Sequence, residues 1–234
     1  NEHCRLQISP RGTCIESFFI DDHQILGVVA RGDGNMAMTH PCSPNFGPER
    51  NTNFGLPQHG PLRKDLCPPT DLTTNSAQFS YAVNCGSYPA GLVVERCFSL
   101  VGKALIIMTT HRNKGEVELP ILYGEHPYFL TPNGWEEVKL NGVSVADLVK
   151  EDKITRWQPG NILEIPGLPR IAIMQVGLDF VNLWVGKNPE GKYDHHYFCP
   201  EPLEGNHFAG YFGNPESMLV PGASRHARLV ITTA

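Results

Sequence analysis

The chain has 234 residues, of which 41% are hydrophobic, and carries a formal net charge of −5 at pH 7. We expect residues 1–234 to form one domain, because a chain of this length and composition can bury one sizeable core. Its 19 Lys and Arg residues are scattered rather than clustered, which argues against nucleic acid or an anionic membrane surface as a partner and favours a small neutral ligand.

Short runs of β-branched and aromatic residues, punctuated by 23 Gly and 20 Pro residues, predict β-strands along most of the chain. In chain order the predicted strands are Glu16–Ile20, Gln24–Ala30, Ala77–Asn84, Leu92–Leu100, Ala104–Asn113, Glu118–Tyr123, Glu136–Leu140, Ile162–Ile165, Arg170–Val176, Asp179–Gly186, His196–Cys199 and Arg225–Thr232. The one predicted helix is a short turn over residues 144–150, with Ser144 as its N-cap. Because no segment has enough helical periodicity for βαβ units, we predict an all-β fold of two packed antiparallel sheets.

Two of these strands differ in their expected burial. In "AQFSYAV", residues 77–83, apolar side chains alternate with Gln78 and Ser80, which is the period-two pattern of a half-buried strand. In "ALIIMTT", residues 104–110, the alternation is weaker, and we expect burial on both faces of the sheet.

Residues 31–75 form a long, turn-rich stretch with little strand signal and many polar and ring-bearing side chains. Loops of this length inside a compact domain are uncommon and are more often functional than idle connections. Disorder is the alternative, but the aromatic and proline content favours an ordered loop that forms a wall or lid of a binding site.

The seven cysteines are an odd number, and none belongs to a Cys-x-x-Cys pair. The chain also has no Asn-x-Ser/Thr glycosylation acceptor. Both features favour a reducing cytoplasm over a disulfide-linked exterior. No apolar stretch approaches the length of a membrane span, and the start "NEHCRLQISP" lacks a signal pattern, so we expect a soluble cytoplasmic protein.

Two familiar site patterns fail on physical grounds. "GDGNMA", residues 32–37, matches a dinucleotide fingerprint on paper, but Pro41 and Pro44 follow too closely for the helix that would hold a pyrophosphate. The group His195, His196, Glu201 and His207 is a weak metal candidate, because adjacent histidines on a strand point to opposite faces. We therefore predict no metal and no cofactor.

Three short segments place proton-transfer groups in rigid, turn-bounded settings. They are "LPQHGPLRK" with His59 and Arg63, "GEHPYF" with His126, and "CPEPLEG" with Glu201. His126 and Glu201 each precede a proline, which restricts the backbone to extended conformations and narrows the orientation of the side chain. A single histidine is more often a packing residue, but the three segments together favour a catalytic site.

The same segments carry a resemblance to a known family. "HRNKGEVELPILYGEHPYF", residues 111–129, resembles the stretch of aldose 1-epimerases of the galactose mutarotase-like superfamily that ends in Gly-x-His-Pro-Tyr-Phe. "LPQHGPLRK" is similar to the His-Gly-x-x-Arg segment of the related hexose-phosphate mutarotases. "VNLWVG", "HYFCPEPLEG" and "LVPGASRHARLVI" are similar to the family's late strand, its Cys-x-Glu-Pro segment and its closing strand. The resemblance runs from about Pro41 to the C-terminus.

The resemblance implies a large antiparallel β-sandwich whose concave face binds a sugar. It also implies an enzyme, an isomerase that interconverts the α and β anomers of an aldose. By matching motifs, Glu201 is the implied general base and His126 the implied general acid, while His59 and Arg63 are implied to bind the sugar's oxygens.

The chain also departs from the family pattern. It is shorter than most members, and Pro61–Leu62 replace the usual Phe-Ala of the His-Gly-x-x-Arg segment. The acidic residue that contacts sugar hydroxyls has no clear counterpart; Asp147, Asp152 and Asp179 are candidates, and we select Asp179. For the sugar's C–H surface we select the ring of Tyr128, with Phe129, Trp184 and Phe198 as other candidates.

The chemistry of anomer interconversion itself requires one base and one acid, the roles implied for Glu201 and His126, whatever family the chain resembles. Opening a pyranose requires removal of the proton on the anomeric hydroxyl and protonation of the ring oxygen. A carboxylate is ionised at neutral pH and histidines titrate near pH ~6.5, so Glu and His suffice without metal or nucleotide. Because the two sugar oxygens share one carbon, the groups of Glu201 and His126 should lie within roughly 8 Å of each other.

Several alternatives stay open. A non-catalytic carbohydrate-binding protein fits the same fold, since a pocket alone does not imply turnover, and a metal-dependent β-sandwich enzyme ranks last. The substrate is a sugar or a sugar phosphate, the second because Arg50, Arg63 and Lys64 could bind a phosphate. The protein is expected to be a monomer or a homodimer.

Overall fold

The computed structural model describes residues 2–149 and 154–234 and is built almost entirely from β-strands. The strands, numbered in chain order, are β1 Cys4–Ser9, β2 Cys14–Ile20, β3 His23–Gly27, β4 Val29–Ala30, β5 Met36–Ala37, β6 His40–Cys42, β7 Pro69–Leu72, β8 Ser76–Ala82, β9 Leu92–Val101, β10 Ala104–Asn113, β11 Leu119–Pro120, β12 Gly124–His126, β13 Phe129–Leu130, β14 Lys139–Leu140, β15 Val143–Ser144, β16 Ile154–Arg156, β17 Asn161–Glu164, β18 Ile171–Val176, β19 Phe180–Trp184, β20 Tyr197–Leu203, β21 Met218–Leu219 and β22 Ser224–Thr233. The predicted all-β antiparallel fold is confirmed.

Two nine-stranded antiparallel sheets form the sandwich. The first sheet runs β1-β2-β3-β13-β20-β12-β6, with β19 also pairing with β20 and β16 pairing with β19. The second sheet runs β15-β14-β17-β18-β22-β10-β9-β8-β7. Small two-stranded sheets join β4 to β5 and β11 to β21. Side chains from both large sheets meet in one hydrophobic core, which includes Phe18 and Leu26 from the first sheet and Phe98 and Ile107 from the second.

Helical structure is confined to single turns in the described residues. α1, Val145–Leu148, begins after Ser144, at the predicted N-cap, although the Ser144 side chain makes no capping hydrogen bond. Short 3-10 helices cover His207–Ala209 and Pro215–Ser217. No helix in these residues is long and apolar enough to cross a membrane.

The two burial patterns predicted from sequence have different outcomes. In β8 the pattern is confirmed, because Ala77 and Phe79 are buried while Gln78 and Ser80 are exposed. In β10 the prediction of burial on both faces is wrong. Its burial alternates along the strand, and Met108 is 49% exposed. The apolar side chains of one β10 face therefore contact solvent, which is common in antiparallel sheets.

The strand boundaries near the site differ from those predicted. The stretch 31–75, expected to be one loop, contains the short strands β5, β6 and β7. β20 was expected to end at Cys199, but it continues to Leu203 through Pro200 and Pro202. The backbone N–H groups of residues i and i+2 point toward the same neighbouring strand, so Pro200 and Pro202 remove hydrogen-bond donors on one side of β20 only. Glu201 thereby lies within a central strand.

A buried polar network crosses the sandwich behind β12. Nη1 of Arg96 on β9 lies 2.6 Å from Oε1 of Glu125 on β12, and the two side chains are 1% and 0% exposed. The Tyr123 hydroxyl accepts a bond from Arg96 over 3.2 Å, lies 2.8 Å from Oγ1 of Thr109, and donates to Glu125. Because side chains alternate along a strand, Glu125 points into the sandwich and its neighbour His126 points to the opposite face.

Candidate active site

A cavity of about 650 Å³ lies over the first sheet, at strands β6, β12, β19 and β20. Strands β1, β2 and β5 and the connections between strands supply the rest of its wall. The lining residues are Ser9, Arg11, Cys14, Arg31, Asn35, Met36, Ala37, Met38, His40, Phe46, Gly47, Pro48, Arg50, Gln58, His59, Arg63, Lys64, His126, Tyr128, Asn182, Trp184, Glu201 and Phe208.

His126 and Glu201 form a hydrogen-bonded pair in the lining of this cavity. Their strands are antiparallel neighbours with Gly124 opposite Leu203, and continuing that register places His126 opposite Glu201. Nε2 of His126 lies 2.7 Å from Oε1 of Glu201, and the two side chains are 6% and 2% exposed. Backbone pairing of two central strands thus brings together an imidazole and a carboxylate that are 75 positions apart in the sequence.

Asn182 holds the second oxygen of this carboxylate. It lies opposite Glu201 in the β19–β20 pairing, and its Nδ2 donates a 2.7 Å hydrogen bond to Oε2. Sequence reasoning did not select Asn182. The available signal is a polar residue at the centre of the apolar strand "FVNLW" that pairs with the strand carrying Glu201.

Aromatic rings fix the plane of the His126 imidazole. It stacks on the ring of His40 at 4.7 Å and on that of Tyr128 at 4.7 Å, with interplanar angles of 24° and 12°. The Trp184 ring meets it edge-on at 5.2 Å. Burial raises the pKa of the Tyr128 phenol, which therefore stays protonated and able to donate a hydrogen bond. The imidazole can turn little without disturbing this stack.

His40 is a neutral histidine in the wall of the cavity. Its Nδ1 donates to the carbonyl of Met38 over 2.8 Å, so its Nε2 carries the lone pair. That Nε2 is buried and has no hydrogen-bond partner among the described residues. Burial, reinforced by the neighbouring His126 and His59, holds the pKa of His40 well below its usual range. Sequence reasoning did not select this residue.

A strained turn presents His59 to the cavity. His59 has a positive φ of 64°, and the next residue, Gly60, approaches the Ser43 carbonyl so closely that a Cβ would lie 1.8 Å from its oxygen. Only glycine fits there. Nδ1 of His59 accepts a bond from the N–H of Gly47 over 3.1 Å and lies 3.0 Å from Sγ of Cys42.

The cavity is positively charged although the whole chain is negative. Among its described lining residues Glu201 is the one carboxylate, whereas five side chains are cationic: Arg11, Arg31, Arg50, Arg63 and Lys64. Arg31 pairs with Asp33 at 3.0 Å and lies over the Trp184 ring. Arg11 donates to the Lys64 carbonyl over 2.9 Å, which joins two of the cation-bearing connections.

The structure brings five of the six predicted site residues to this cavity: His59, Arg63, His126, Tyr128 and Glu201. It does not bring Asp179 there. That residue is exposed, and its carbonyl accepts a bond from the Trp157 N–H over 2.8 Å. Asp179 lies just before β19, three residues from Asn182, which is the residue opposite Glu201. Nothing in the strand pairing turns the Asp179 side chain toward Glu201, so the prediction that Asp179 belongs to the site is not met.

The other candidates are also dispersed. Asp147 is exposed and does not line the cavity, and Asp152 lies outside the described residues. Phe129 and Phe198 are fully buried in the core, whereas Trp184 lines the cavity. In the rejected metal group, the exposed His195 pairs with Glu136 at 2.7 Å, and the His207 side chain is outside the described part.

Comparison with known solved structures shows the fold. No protein-family model matches the chain, and no curated protein sequence matches it significantly. Among solved structures, a galactose mutarotase related enzyme from Lactobacillus acidophilus superposes with a TM-score of 0.81 at 19% identity, covering 100% of this chain and 95% of that one.

Two further solved structures have the same fold as this chain. A candidate aldose 1-epimerase from Escherichia coli K12 superposes with a TM-score of 0.78 at 16% identity, covering 100% of this chain and 96% of that one. A galactose mutarotase-like protein from Lactobacillus casei has a TM-score of 0.74 at 14% identity, covering 100% and 98%. The chain therefore has the galactose mutarotase-like fold over its whole described length, as the resemblance implied.

Proposed function

We propose that this chain, with its galactose mutarotase-like fold, is an aldose 1-epimerase in which Glu201 is the general base and His126 the general acid. The observation that carries the proposal is their 2.7 Å contact inside a cavity large enough for a sugar. A carboxylate and an imidazole on adjacent strands can reach two oxygens bonded to one carbon, which is what ring opening at the anomeric centre requires.

The reaction then runs as two mirrored proton transfers. Glu201 takes the proton of the anomeric hydroxyl while Nε2–H of His126 protonates the ring oxygen, and the bond from C1 to the ring oxygen breaks. After rotation about the bond from C1 to C2, His126 takes back the proton from the hydroxyl at the former ring oxygen. That oxygen attacks C1, and Glu201 returns its proton to the new anomeric hydroxyl. The residues end as they began, so no co-reactant is consumed.

Anomer exchange measured by NMR tests this proposal directly. Purified protein, added to an anomerically pure or magnetically labelled sugar, should accelerate exchange above the buffer rate for at least one member of a panel of hexoses, pentoses and their 6-phosphates. A flat result over the whole panel contradicts the proposal.

The seven free thiols support a cytoplasmic location for this enzyme, which cell fractionation can test.

Asn182 is proposed to orient Glu201 through the bond to its Oε2, so that Oε1, which contacts His126, is the oxygen that meets the sugar once the substrate separates the pair. Replacing Asn182 by Asp keeps the shape but puts a second negative charge beside the carboxylate. Like charges disfavour the ionised form of the base. We therefore expect the acidic limb of the kcat/KM pH profile to move to higher pH, with activity partly recovered under alkaline conditions. An unmoved limb would show that Asn182 does not act on Glu201.

The charge of the cavity supports a substrate with an anionic substituent, such as a sugar phosphate. Five cationic side chains line the cavity, and Arg and Lys are the residues that bind phosphate oxygens most often. The uncharged rings of Tyr128 and Trp184 contact the imidazole of His126. This arrangement offers ring surface to the sugar and cations to its charged end.

Replacing Arg63 by Gln should discriminate between charged and neutral sugars. We expect KM for a sugar phosphate to rise about ten- to hundredfold, the equivalent of ~1.5–3 kcal/mol for one charged hydrogen bond, while KM for the neutral sugar changes little. Arg228, exposed on β22 and outside the cavity, provides the matched control as Arg228→Gln. Equal effects on both sugars would argue against an anion subsite at Arg63.

A further inference from the structure

Three potential metal ligands meet beside the catalytic pair. His40 and Cys42 are two residues apart on β6 and therefore point to the same face of the strand, and His59 reaches them from its turn. One ligand atom from each lies within 4.8 Å of the others, and all three residues are buried. Sγ of Cys42 and Nδ1 of His59 are already 3.0 Å apart.

The surroundings of His40 match those of a metal-bound histidine. Metal-ligating histidines usually donate their other ring N–H to a backbone carbonyl, which fixes the tautomer and aims the lone pair. His40 donates Nδ1–H to the carbonyl of Met38 over 2.8 Å. Its Nε2 is buried without a partner, an arrangement that leaves a hydrogen-bond acceptor unsatisfied unless a ligand meets it.

We infer that His40, Cys42 and His59 form a binding site for a thiophilic d¹⁰ cation of the Zn²⁺ type. Nitrogen and thiolate donors select such ions, and tetrahedral bonds of about 2.0–2.3 Å hold the ligand atoms roughly 3.5 Å apart. The more widely spaced ligand atoms, which lie within 4.8 Å of each other, therefore close in by up to about 1 Å, while Sγ of Cys42 and Nδ1 of His59, now 3.0 Å apart, separate slightly. The Cys42 thiol loses its proton to solvent as the sulfur–metal bond forms. The Gly47 N–H gives up its contact with His59. Three protein ligands leave a fourth coordination position on the side of the cavity.

Metal binding at this site would inhibit the proposed reaction. This inhibition rests on the proposed function, whereas the metal site itself does not. Two of the ligands contact the imidazole of His126: the ring of His40 stacks on it, and the ring of His59 meets the His126 ring edge-on at 5.5 Å. Drawing both rings toward an ion shifts the stack that orients the acid. We expect one equivalent of Zn²⁺ to lower the anomer-exchange rate and a chelator to restore it.

Cobalt binding tests the site without reference to activity. Metal-free, reduced protein is titrated with Co²⁺, whose thiolate charge-transfer band in the near ultraviolet reports a sulfur ligand, and Zn²⁺ is then added to displace it. We expect a band that saturates at one equivalent and disappears with Zn²⁺. A wild-type protein with no such band overturns the inference, whatever its enzymatic activity.

Variants assign the ligands. Cys42→Ser and His40→Gln should each lower Co²⁺ affinity at least about tenfold, with Cys42→Ser also abolishing the charge-transfer band. Cys14→Ser is the matched control, because Cys14 is a second buried thiol in the same cavity but is not one of the three ligands. A band that persists in Cys42→Ser overturns the assignment. Far-UV circular dichroism checks that each variant is folded, and His40→Gln decides the matter should Cys42→Ser be misfolded.

Discussion

Replacing Glu201 by Gln is expected to slow anomer interconversion by about 10²–10⁴-fold, the usual contribution of one general acid–base group. Glutamine keeps the shape of the side chain and can accept the Asn182 bond through its oxygen, so the sheet should not change. It cannot accept the proton of the anomeric hydroxyl. Exchange NMR measures the rate, and sugar binding measured by calorimetry should stay within a few-fold of wild type.

Glu204→Gln is the matched control for this variant. Glu204 lies three residues further along, and its Oε2 accepts a bond from the Tyr123 N–H over 3.1 Å outside the cavity. Burial raises its pKa to about 7 although Arg225 lies 3.4 Å away, so part of the population is already uncharged at neutral pH and the amide resembles that form. We expect near wild-type exchange from Glu204→Gln.

The pair of measurements also separates the two classes of function. If the wild-type protein binds a sugar but exchanges its anomers no faster than buffer, the protein is a carbohydrate-binding module on this fold. If Glu201→Gln retains full exchange activity, the assignment of the base is wrong even though the enzyme class stands.

Replacing Arg96 by Met is expected to lower the free energy of unfolding by about 3–5 kcal/mol. The substitution leaves the Glu125 carboxylate buried at 0% exposure without its counter-charge. Transfer of an isolated ionised group into a dry interior is strongly unfavourable, and the loss should be visible in urea unfolding followed by circular dichroism.

Two further variants test the reason for that loss. Combining Arg96→Met with Glu125→Leu removes both charges, and such replacements of buried pairs are often neutral or stabilising, so much of the stability should return. Arg112 and Glu95 form an exposed pair on the same sheet at 2.9 Å, with side chains about 40% exposed. Arg112→Met should change stability by about 1 kcal/mol or less. Equal losses from Arg96→Met and Arg112→Met would contradict the argument from burial.

Period-two patterns predicted much of the fold, because alternation reflects directly which face of a strand is buried. Ala104–Asn113 was predicted with its observed bounds. Most of the missed strands have two or three residues, such as β6 and β12, which are too short to show a pattern and are held in place by their neighbours. Two longer strands at sheet edges, β1 and β7, were missed as well. The extension of β20 through two prolines was missed because tertiary pairing outweighed the local signal.

The site was predictable where residue chemistry and local rigidity coincide. Glu201, His126 and His59 were selected because each lies in a turn- or proline-bounded segment. Asn182 and His40 were not, since their importance depends on cross-strand neighbours that a single sequence does not specify. Arg11 and Arg31 were missed for the same reason: their connections converge on the cavity only after the sheet has formed.

His126, Glu201 and Asn182 lie side by side on three hydrogen-bonded strands of one sheet, whereas all five cations of the cavity come from connections between strands. Backbone ladders resist sequence change, while connections tolerate insertion and substitution. If the proposed function holds, the reaction and the substrate preference therefore depend on different parts of the chain. Under the proposed function, exchanging these connections would change which sugar is bound and leave the proposed acid and base in place.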